Sequence, residues 1–121
     1  MKSLRVLIAE DDALIGMLLE ELVTGMGHEV CATAVTEAHA VTAAIQYRPD
    51  LMIVDARLGA GSGISAVDAI LRTDPEPVAH FFVSGDPGTV QARRPGAVVV
   101  RKPFRDTEII RAIEMALAAA G

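Results

Sequence analysis

Acidic residues stand at two points of the chain where their spacing could support chemistry. Glu10 and Asp11 follow the apolar run 4–9, and Asp55 follows the apolar run 51–54. Short runs of this kind, rich in β-branched residues, are typical of strands buried on both faces of a parallel sheet. Ligands of open α/β sheets bind at the carboxyl ends of the strands, so these carboxylates are candidates for a metal or catalytic site. The alternative is that Asp55 only caps the next helix.

Two further polar residues end apolar runs later in the chain, Ser84 after residues 78–83 and Lys102 after residues 97–101. Three carboxylates at one edge would repel by about 4 kcal/mol per pair at about 4 Å and an effective dielectric of about 20, so the cluster needs a cation. Oxygen ligands with room for water suit Mg²⁺, or Mn²⁺ in its place. A hydroxyl and an ammonium opposite the metal suit a phosphoryl group, with Asp55 as the nucleophile.

Alternating strands and helices must position these residues. Strands are predicted over residues 4–9, 28–35, 50–55, 78–84 and 97–101. The helices between them imply right-handed parallel crossovers, with helices on both faces of one sheet. The prediction is an α/β fold, a flavodoxin-like doubly wound five-stranded parallel sheet of order 2-1-3-4-5, forming one domain over residues 1–121. In this order the first and third strands are neighbours, which brings Glu10, Asp11 and Asp55 together.

The helix signals are local. Asp12 suits the amino end of a first helix over residues 13–26, and we weigh a metal role for it as the weaker alternative. Thr36 is a candidate N-cap for a second helix ending at Tyr47, and Ser62 or Gly63 opens a third. The spacing of apolar residues predicts that the first helix packs through one face, formed by Leu14, Ile15, Leu18, Leu19, Leu22 and Met26.

Composition excludes several classes of function. The net charge of −5 and the lack of a lysine-arginine stripe argue against direct nucleic-acid binding. The lone Cys31 cannot form an internal disulfide, and no apolar run approaches the roughly 20 residues that span a bilayer. We therefore expect a cytoplasmic protein with no membrane contact.

Four segments of the chain together resemble the signature segments of response-regulator receiver domains. They are residues 6–12, residues 50–55, residues 82–85 and residues 101–104, with the sequences VLIAEDD, DLMIVD, FVSG and RKPF. Each segment alone is weak evidence, whereas all four in this order and near this spacing are specific. The resemblance covers the whole chain.

The resemblance implies a role for each matching residue. Asp55 would be the phosphoacceptor, Asp11 the direct Mg²⁺ ligand, Glu10 a second acid acting through water, the Arg57 carbonyl a third protein ligand, Ser84 the switch hydroxyl and Lys102 the phosphate partner. It also implies a cis peptide bond between Lys102 and Pro103. The phosphoryl donor would be a histidine kinase or a histidine phosphotransfer protein, and the phosphorylated state would switch a surface read by a downstream protein. Such a protein is a signalling receiver and catalyses only its own phosphorylation and dephosphorylation.

The chain departs from the family pattern in three places. Gly59 stands where the family often has proline, which predicts a more mobile loop, and Val99 replaces the aromatic residue that usually follows the switch hydroxyl inward. Residues 85–96 are too rich in glycine and proline for more than a turn or two of helix around residues 89–93, and the segment between Ser84 and Lys102 is several residues shorter than in the family, which should also shorten the fourth helix. We therefore expect phosphorylation to change residues 84–96 and 56–63 most.

Other functions remain open at this point. One alternative is a receiver-like scaffold that binds its partner whatever its phosphorylation state. Another is a small Mg²⁺-dependent aspartyl phosphatase, although Arg57 stands where that class has a second aspartate. The glycine-rich residues 59–63 lack the spacing of a nucleotide-binding loop. We expect a single-domain regulator, with removal of an output domain as the alternative.

Overall fold

The computed structural model describes residues 2–74 and 76–121. Five of the strands are β1 (Arg5–Ala9), β2 (Glu29–Ala34), β3 (Leu51–Asp55), β4 (Ala79–Ser84) and β5 (Val99–Arg101). They form one parallel sheet in the order β2-β1-β3-β4-β5. The flavodoxin-like order predicted from the alternating pattern is confirmed.

Five helices cover the two faces of this sheet. They are α1 (Ala13–Gly25), α2 (Glu37–Tyr47), α3 (Gly63–Thr73), α4 (Pro87–Arg93) and α5 (Asp106–Ala120). Helices α1 and α5 pack their apolar residues against one face of the sheet. Helices α2, α3 and α4 pack theirs against the other face. Two-residue strands, Arg57–Leu58 and Gly61–Ser62, add a small antiparallel ladder after β3.

The predicted helix starts are confirmed by their capping bonds. The Asp12 carboxylate accepts from the first-turn N–H groups of α1, and the Thr36 hydroxyl accepts from the N–H of His39. The Ser62 hydroxyl accepts from the N–H of Ser65 and opens α3. These short polar side chains satisfy backbone donors that have no partner within the helix, which is why each helix begins where it does.

The predicted inward face of α1 is wrong in part. Leu14 and Leu18 are 67% and 50% exposed, whereas Leu19 and Val23 are buried against the sheet. The remaining predicted residues, Ile15, Leu22 and Met26, do pack against that core. Because α1 carries apolar residues on more than one side, helical spacing alone offers two possible stripes, and only the position of the sheet selects one.

Helix α4 is as short as the glycine and proline content predicts. It has seven residues and begins at Pro87, a position where the missing N–H costs no hydrogen bond. The peptide bond between Lys102 and Pro103 is cis, as the resemblance implied. Within residues 2–74 and 76–121, none of the helices has both the length and the hydrophobicity needed to cross a bilayer.

Candidate functional site

Three carboxylates converge where β1 and β3 end. Strands β1 and β3 are hydrogen-bonded neighbours, with Ala9 opposite Val54, so Glu10 and Asp55 leave the sheet side by side. Ligand oxygens of Glu10, Asp11 and Asp55 all lie within 4.8 Å of one another. The exposed fractions of Glu10 and Asp55 are 4% and 7%, while Asp11 is exposed at the rim. The carboxylates that strand order predicts to be close are therefore brought together.

Lys102 reaches this cluster from the end of β5. Its Nζ lies 2.7 Å from Asp55 Oδ2 and 3.0 Å from Glu10 Oε1. Its backbone N–H donates to the Ser84 carbonyl at 2.9 Å, which ties its position to β4. Burial disfavours the charged ammonium, but the hydrogen bonds and charges of Asp55 and Glu10 outweigh that effect and raise the pKa of Lys102. The lysine therefore stays charged beside the acids.

The ionised form of Glu10 is disfavoured by its surroundings. Burial, with the proximity of Asp55 as a further cause, raises the pKa of Glu10 to about 7. Its Oε2 accepts from the Asp12 N–H at 3.2 Å. Its Oε1 is fully enclosed and lies 3.0 Å from the Lys102 ammonium. Three carboxylates around one ammonium fit a small divalent cation that prefers oxygen ligands.

Ser84 ends β4 at the same edge and is 6% exposed. Its hydroxyl accepts from the Asp86 N–H at 2.9 Å. With Asp55 and Lys102 it lines a cleft of about 550 Å³ that continues to Thr89 and Arg93. The predicted switch hydroxyl therefore faces the same space as the predicted phosphoacceptor. A larger groove of about 810 Å³ lies at the opposite edge of the sheet, away from these residues.

The loop after β3 is held at several backbone positions. The Arg57 N–H donates to Asp55 Oδ1 at 3.0 Å, and the Gly59 N–H donates to Asp11 Oδ2 at 2.9 Å. Gly59 has φ +57°, a conformation closed to proline, whose ring holds φ near −65°. The departure from the family's proline therefore coincides with a different backbone conformation and a contact to a site acid.

Two residues that support the site escape sequence-based prediction. The Ser62 N–H donates to Glu37 Oε1 at 2.8 Å, across two elements that sequence spacing does not relate. A Cβ on Gly63 would lie 1.9 Å from the Asp55 carbonyl oxygen, so the start of α3 packs directly under the phosphoacceptor candidate. A glycine in the first turn of a helix that follows a buried strand is the one signal that could have indicated this close approach.

Comparisons with known proteins agree with this geometry. The family described as Response regulator receiver domain matches residues 6–114. The chain is 37% identical over 114 residues to the phyllosphere-induced regulator PhyR of Methylorubrum extorquens, covering 93% of this chain and 43% of that protein. It is 36% identical over 115 residues to the transcriptional regulatory protein PdtaR of Mycobacterium tuberculosis, covering 93% and 56%. The chain thus spans about half the length of these relatives.

A solved structure shares the whole architecture. The solution structure of the PhyR response regulator REC domain of Erythrobacter litoralis superimposes with a TM-score of 0.88 at 36% identity. The match covers 100% of this chain and 95% of that one. The fold of this chain therefore recurs over its whole length in a protein of known structure.

Proposed function

The chain belongs to the response regulator receiver family, and on that premise we propose that it accepts a phosphoryl group on Asp55 from a phosphohistidine donor. Receiver domains are signalling modules, so the phosphorylated state would switch a surface that a downstream protein binds. The observation that carries the proposal is the pairing of Asp55 with Lys102 at 2.7 Å within an open cleft. A phosphoryl group arriving there would find both a nucleophile and a cation.

The arrangement favours Asp55 over its neighbours as the nucleophile. Its oxygens are oriented by the Arg57 N–H and by Lys102, so the carboxylate is held in one position. Asp11 is exposed and bound to the Gly59 N–H, while Glu10 is nine-tenths buried and has a raised pKa that weakens it as a nucleophile at neutral pH. Preorganised geometry of this kind is what a group-transfer site requires.

The transfer would break the bond between phosphorus and the donor imidazole nitrogen and form one between phosphorus and an Asp55 oxygen. The electron pair of the broken bond returns to the imidazole. Asp55 loses its negative charge when it becomes an acyl phosphate, so Lys102 would exchange that carboxylate for a phosphoryl oxygen. The same ammonium thus stabilises the reactant carboxylate and the product anion.

Glu10, Asp11 and Asp55, with the Arg57 carbonyl, would hold Mg²⁺ or Mn²⁺. When bound, such an ion neutralises phosphoryl oxygens during the transfer. The excess of carboxylates over ammonium groups in this cluster supports the assignment. Asp11→Ala should weaken Mg²⁺ binding and slow phosphorylation.

Ser84 would transmit the effect of phosphorylation at Asp55 to residues 84–96. A phosphoryl group adds about −1.5 to −2 charges and three acceptor oxygens, which favours donation by a nearby hydroxyl. The Ser84 hydroxyl would then turn from the Asp86 N–H toward the phosphoryl group. With Val99 in place of an aromatic residue, the response would appear mainly at residues 84–96. The donor would be a histidine kinase or a histidine phosphotransfer protein, and the setting would be the cytoplasm.

Intact mass spectrometry tests the proposal. The protein is incubated with a small phosphodonor and Mg²⁺, alongside Asp55→Asn and the matched control Asp106→Asn, which changes an exposed acid in α5. We expect one phosphoryl group on the wild type and the control, and none on Asp55→Asn. Full phosphorylation of Asp55→Asn would refute the assignment. Partner binding that is the same with and without phosphate would favour the scaffold, and sustained turnover of phosphate esters would favour the phosphatase.

A further inference from the structure

Helix α4 has little of its own to keep it folded. It has seven residues, among them Pro87 and Gly88, and its N-cap residue Asp86 makes no side-chain capping bond. Helices of this length are not stable in isolation, since too few hydrogen bonds offset the cost of nucleation. Val90 is its one fully buried residue. Apart from Val90, the contacts that hold α4 in place lie at its two ends.

The two ends are attached to different parts of the molecule. At the amino end, the Asp86 N–H donates to the Ser84 hydroxyl at 2.9 Å. At the carboxyl end, Asp68 of α3 pairs with two guanidinium groups. Asp68 Oδ2 lies 3.3 Å from Arg93 Nη2, and Asp68 Oδ1 contacts Arg94 Nη1. The first attachment uses the predicted switch hydroxyl, whereas the second joins Arg94 and Arg93, which lies at the far end of the cleft, to a residue outside it.

We propose that Asp68 is a positioning residue that fixes the carboxyl end of α4 to α3, so that release of the Ser84 hydroxyl loosens only the amino end. The use of this device in signalling rests on the proposed function. Phosphorylation would then expose a changed surface at Gly85, Asp86 and Thr89, while Arg93 and Arg94 keep their places. This pairing of Asp68 with Arg93 and Arg94 is called the anchor below. With the anchor in place, the short helix opens at its amino end alone instead of detaching as a whole.

The double pairing is what makes Asp68 suited to this role. A single exposed ion pair is commonly weak because water screens it and the side chains lose freedom. Here each oxygen of one carboxylate has its own guanidinium, and the Asp68 and Arg94 side chains are 32% and 28% exposed, so neither is fully solvated. Two such pairs on the same carboxylate should lower the population in which the carboxyl end of α4 is open by about five-fold.

Amide hydrogen exchange by NMR in the unphosphorylated protein tests the anchor. The Arg94 N–H, bound to the Val90 carbonyl at 2.8 Å, and the Ala97 N–H, bound to the Arg94 carbonyl at 3.1 Å, report on the carboxyl end. The Asp86 and Thr89 amides report on the amino end. We expect Asp68→Asn to speed exchange about five-fold at the carboxyl end and less than about two-fold at the amino end.

Three further variants complete the test. Ser84→Ala should give the opposite pattern, with faster exchange at the Asp86 and Thr89 amides alone. Asp68→Glu, which keeps the charge, should restore most of the protection, and the control Asp106→Asn should change neither end. Arg94→Gln added to Asp68→Asn should have little additional effect, since the shared contact is already lost.

Two results would overturn the inference: unchanged Arg94 and Ala97 exchange in Asp68→Asn, or loosening of both ends together by either Asp68→Asn or Ser84→Ala. Because these measurements use the unphosphorylated protein, they stand whether or not Asp55 accepts phosphate. A chain that fails to gain phosphate would refute the proposed function while leaving the anchor as the exchange data find it.

Discussion

Two segments line the cleft beside Asp55, residues 56–63 and residues 85–98, and they are held in place by different hydrogen bonds. The loop of residues 56–63 is hydrogen-bonded to distant elements, through Asp11 after β1 and Glu37 of α2. The segment of residues 85–98 is bonded largely to itself. There the Thr89 hydroxyl donates to Asp86 at 2.7 Å and the Gln91 amide donates to the Ala97 carbonyl at 3.3 Å. Apart from the bond from the Phe82 N–H to the Val98 carbonyl at 3.0 Å, its ties to the rest of the chain pass through a few side chains at its ends and centre.

Both segments are rich in glycine, so glycine content does not explain the difference. The loop contains Gly59, Gly61 and Gly63, and the segment contains Gly85, Gly88 and Gly96. What differs is whether backbone donors find acceptors on remote elements, because such bonds must break before the backbone opens. Although Gly59 predicts a more mobile loop, its bonds to remote elements lead us to expect that the loop opens less readily than residues 85–98, which are better able to respond. We expect the phosphorylation response to be larger there than in the loop.

The largest effect expected is the loss of stability caused by Gly63→Ala in the loop, and Gly85→Ala is its counterpart in the other segment. Gly63→Ala would place a Cβ 1.9 Å from the Asp55 carbonyl oxygen, whereas Gly85 has open space around it. We expect Gly63→Ala to lower the unfolding free energy by about 3 kcal/mol, the upper end of the usual cost of overpacking. Gly85→Ala should change it by less than about 1 kcal/mol. Urea denaturation measures both, and similar small changes in the two variants would show that the loop is not held rigidly.

A smaller effect should follow from removing the acceptor that Glu37 supplies to the loop. Glu37→Ala leaves the partly buried Ser62 N–H without its partner, and we expect a loss of about 1–2 kcal/mol. Glu37→Gln keeps an oxygen acceptor and should lose less than half as much. Thr89→Ala, the counterpart in the other segment, removes an exposed bond and should cost about 0.5 kcal/mol. A larger loss for Thr89→Ala than for Glu37→Ala in urea denaturation would reverse the comparison.

Arg57 tests whether the rigid loop also governs the lifetime of the phosphorylated state. Its exposed side chain lines the cleft two residues after Asp55, where it would shield the phosphoryl group from water. We expect Arg57→Ala and Arg57→Asn to speed dephosphorylation about five-fold, the effect of one weak ion pair. Mg²⁺ affinity should stay nearly constant, because the proposed ligand at this position is the backbone carbonyl.

The decay of the phosphorylated protein, followed by intact mass, measures this effect. Arg72→Ala, which removes an exposed arginine from the last turn of α3, is the matched control and should decay at the wild-type rate. Equal decay rates in all these proteins would remove the Arg57 side chain from the mechanism.

The weakest effect expected is a pH dependence beside the second segment. Burial lowers the pKa of His80 below its ordinary value of 6.5, and the Arg94 guanidinium acts in the same direction. The Val78 carbonyl, 2.9 Å from Nδ1, and Asp68 oppose this shift without cancelling it. The folded state therefore resists a proton that the unfolded chain accepts.

His80 thus contributes stability that is complete above pH 6.5 and is lost as the pH falls from 6.5 toward the folded-state pKa. Urea denaturation between about pH 8 and about pH 5.5 should show this loss as a difference between the wild type and His80→Gln, because Glu10, whose pKa is raised to about 7, titrates over the same range in both proteins. His80→Gln should therefore differ in slope from the wild type, while His39→Gln, which changes an exposed histidine, should keep the wild-type slope. An unchanged slope in His80→Gln would contradict the expectation.

The sequence by itself determined the strand order, the helix caps, the short α4 and the convergence of Glu10, Asp11 and Asp55. These features follow from local patterns joined to a general rule. Apolar runs mark buried strands, alternation with helices makes the sheet parallel, and right-handed crossovers bring the ends of β1 and β3 together. The roles assigned to the site residues came from the resemblance of four segments and remain predictions.

Only the tertiary structure decided which face of α1 is buried, what holds the loop and what anchors α4. The exposed Leu14 and the inward Leu19 have the same chemistry, so nothing short of the position of the sheet distinguishes them. Glu37 and Asp68 act on partners 25 or 26 residues away in sequence. Such contacts depend on how separate elements pack against one another, and this packing cannot be predicted from residue type and local spacing.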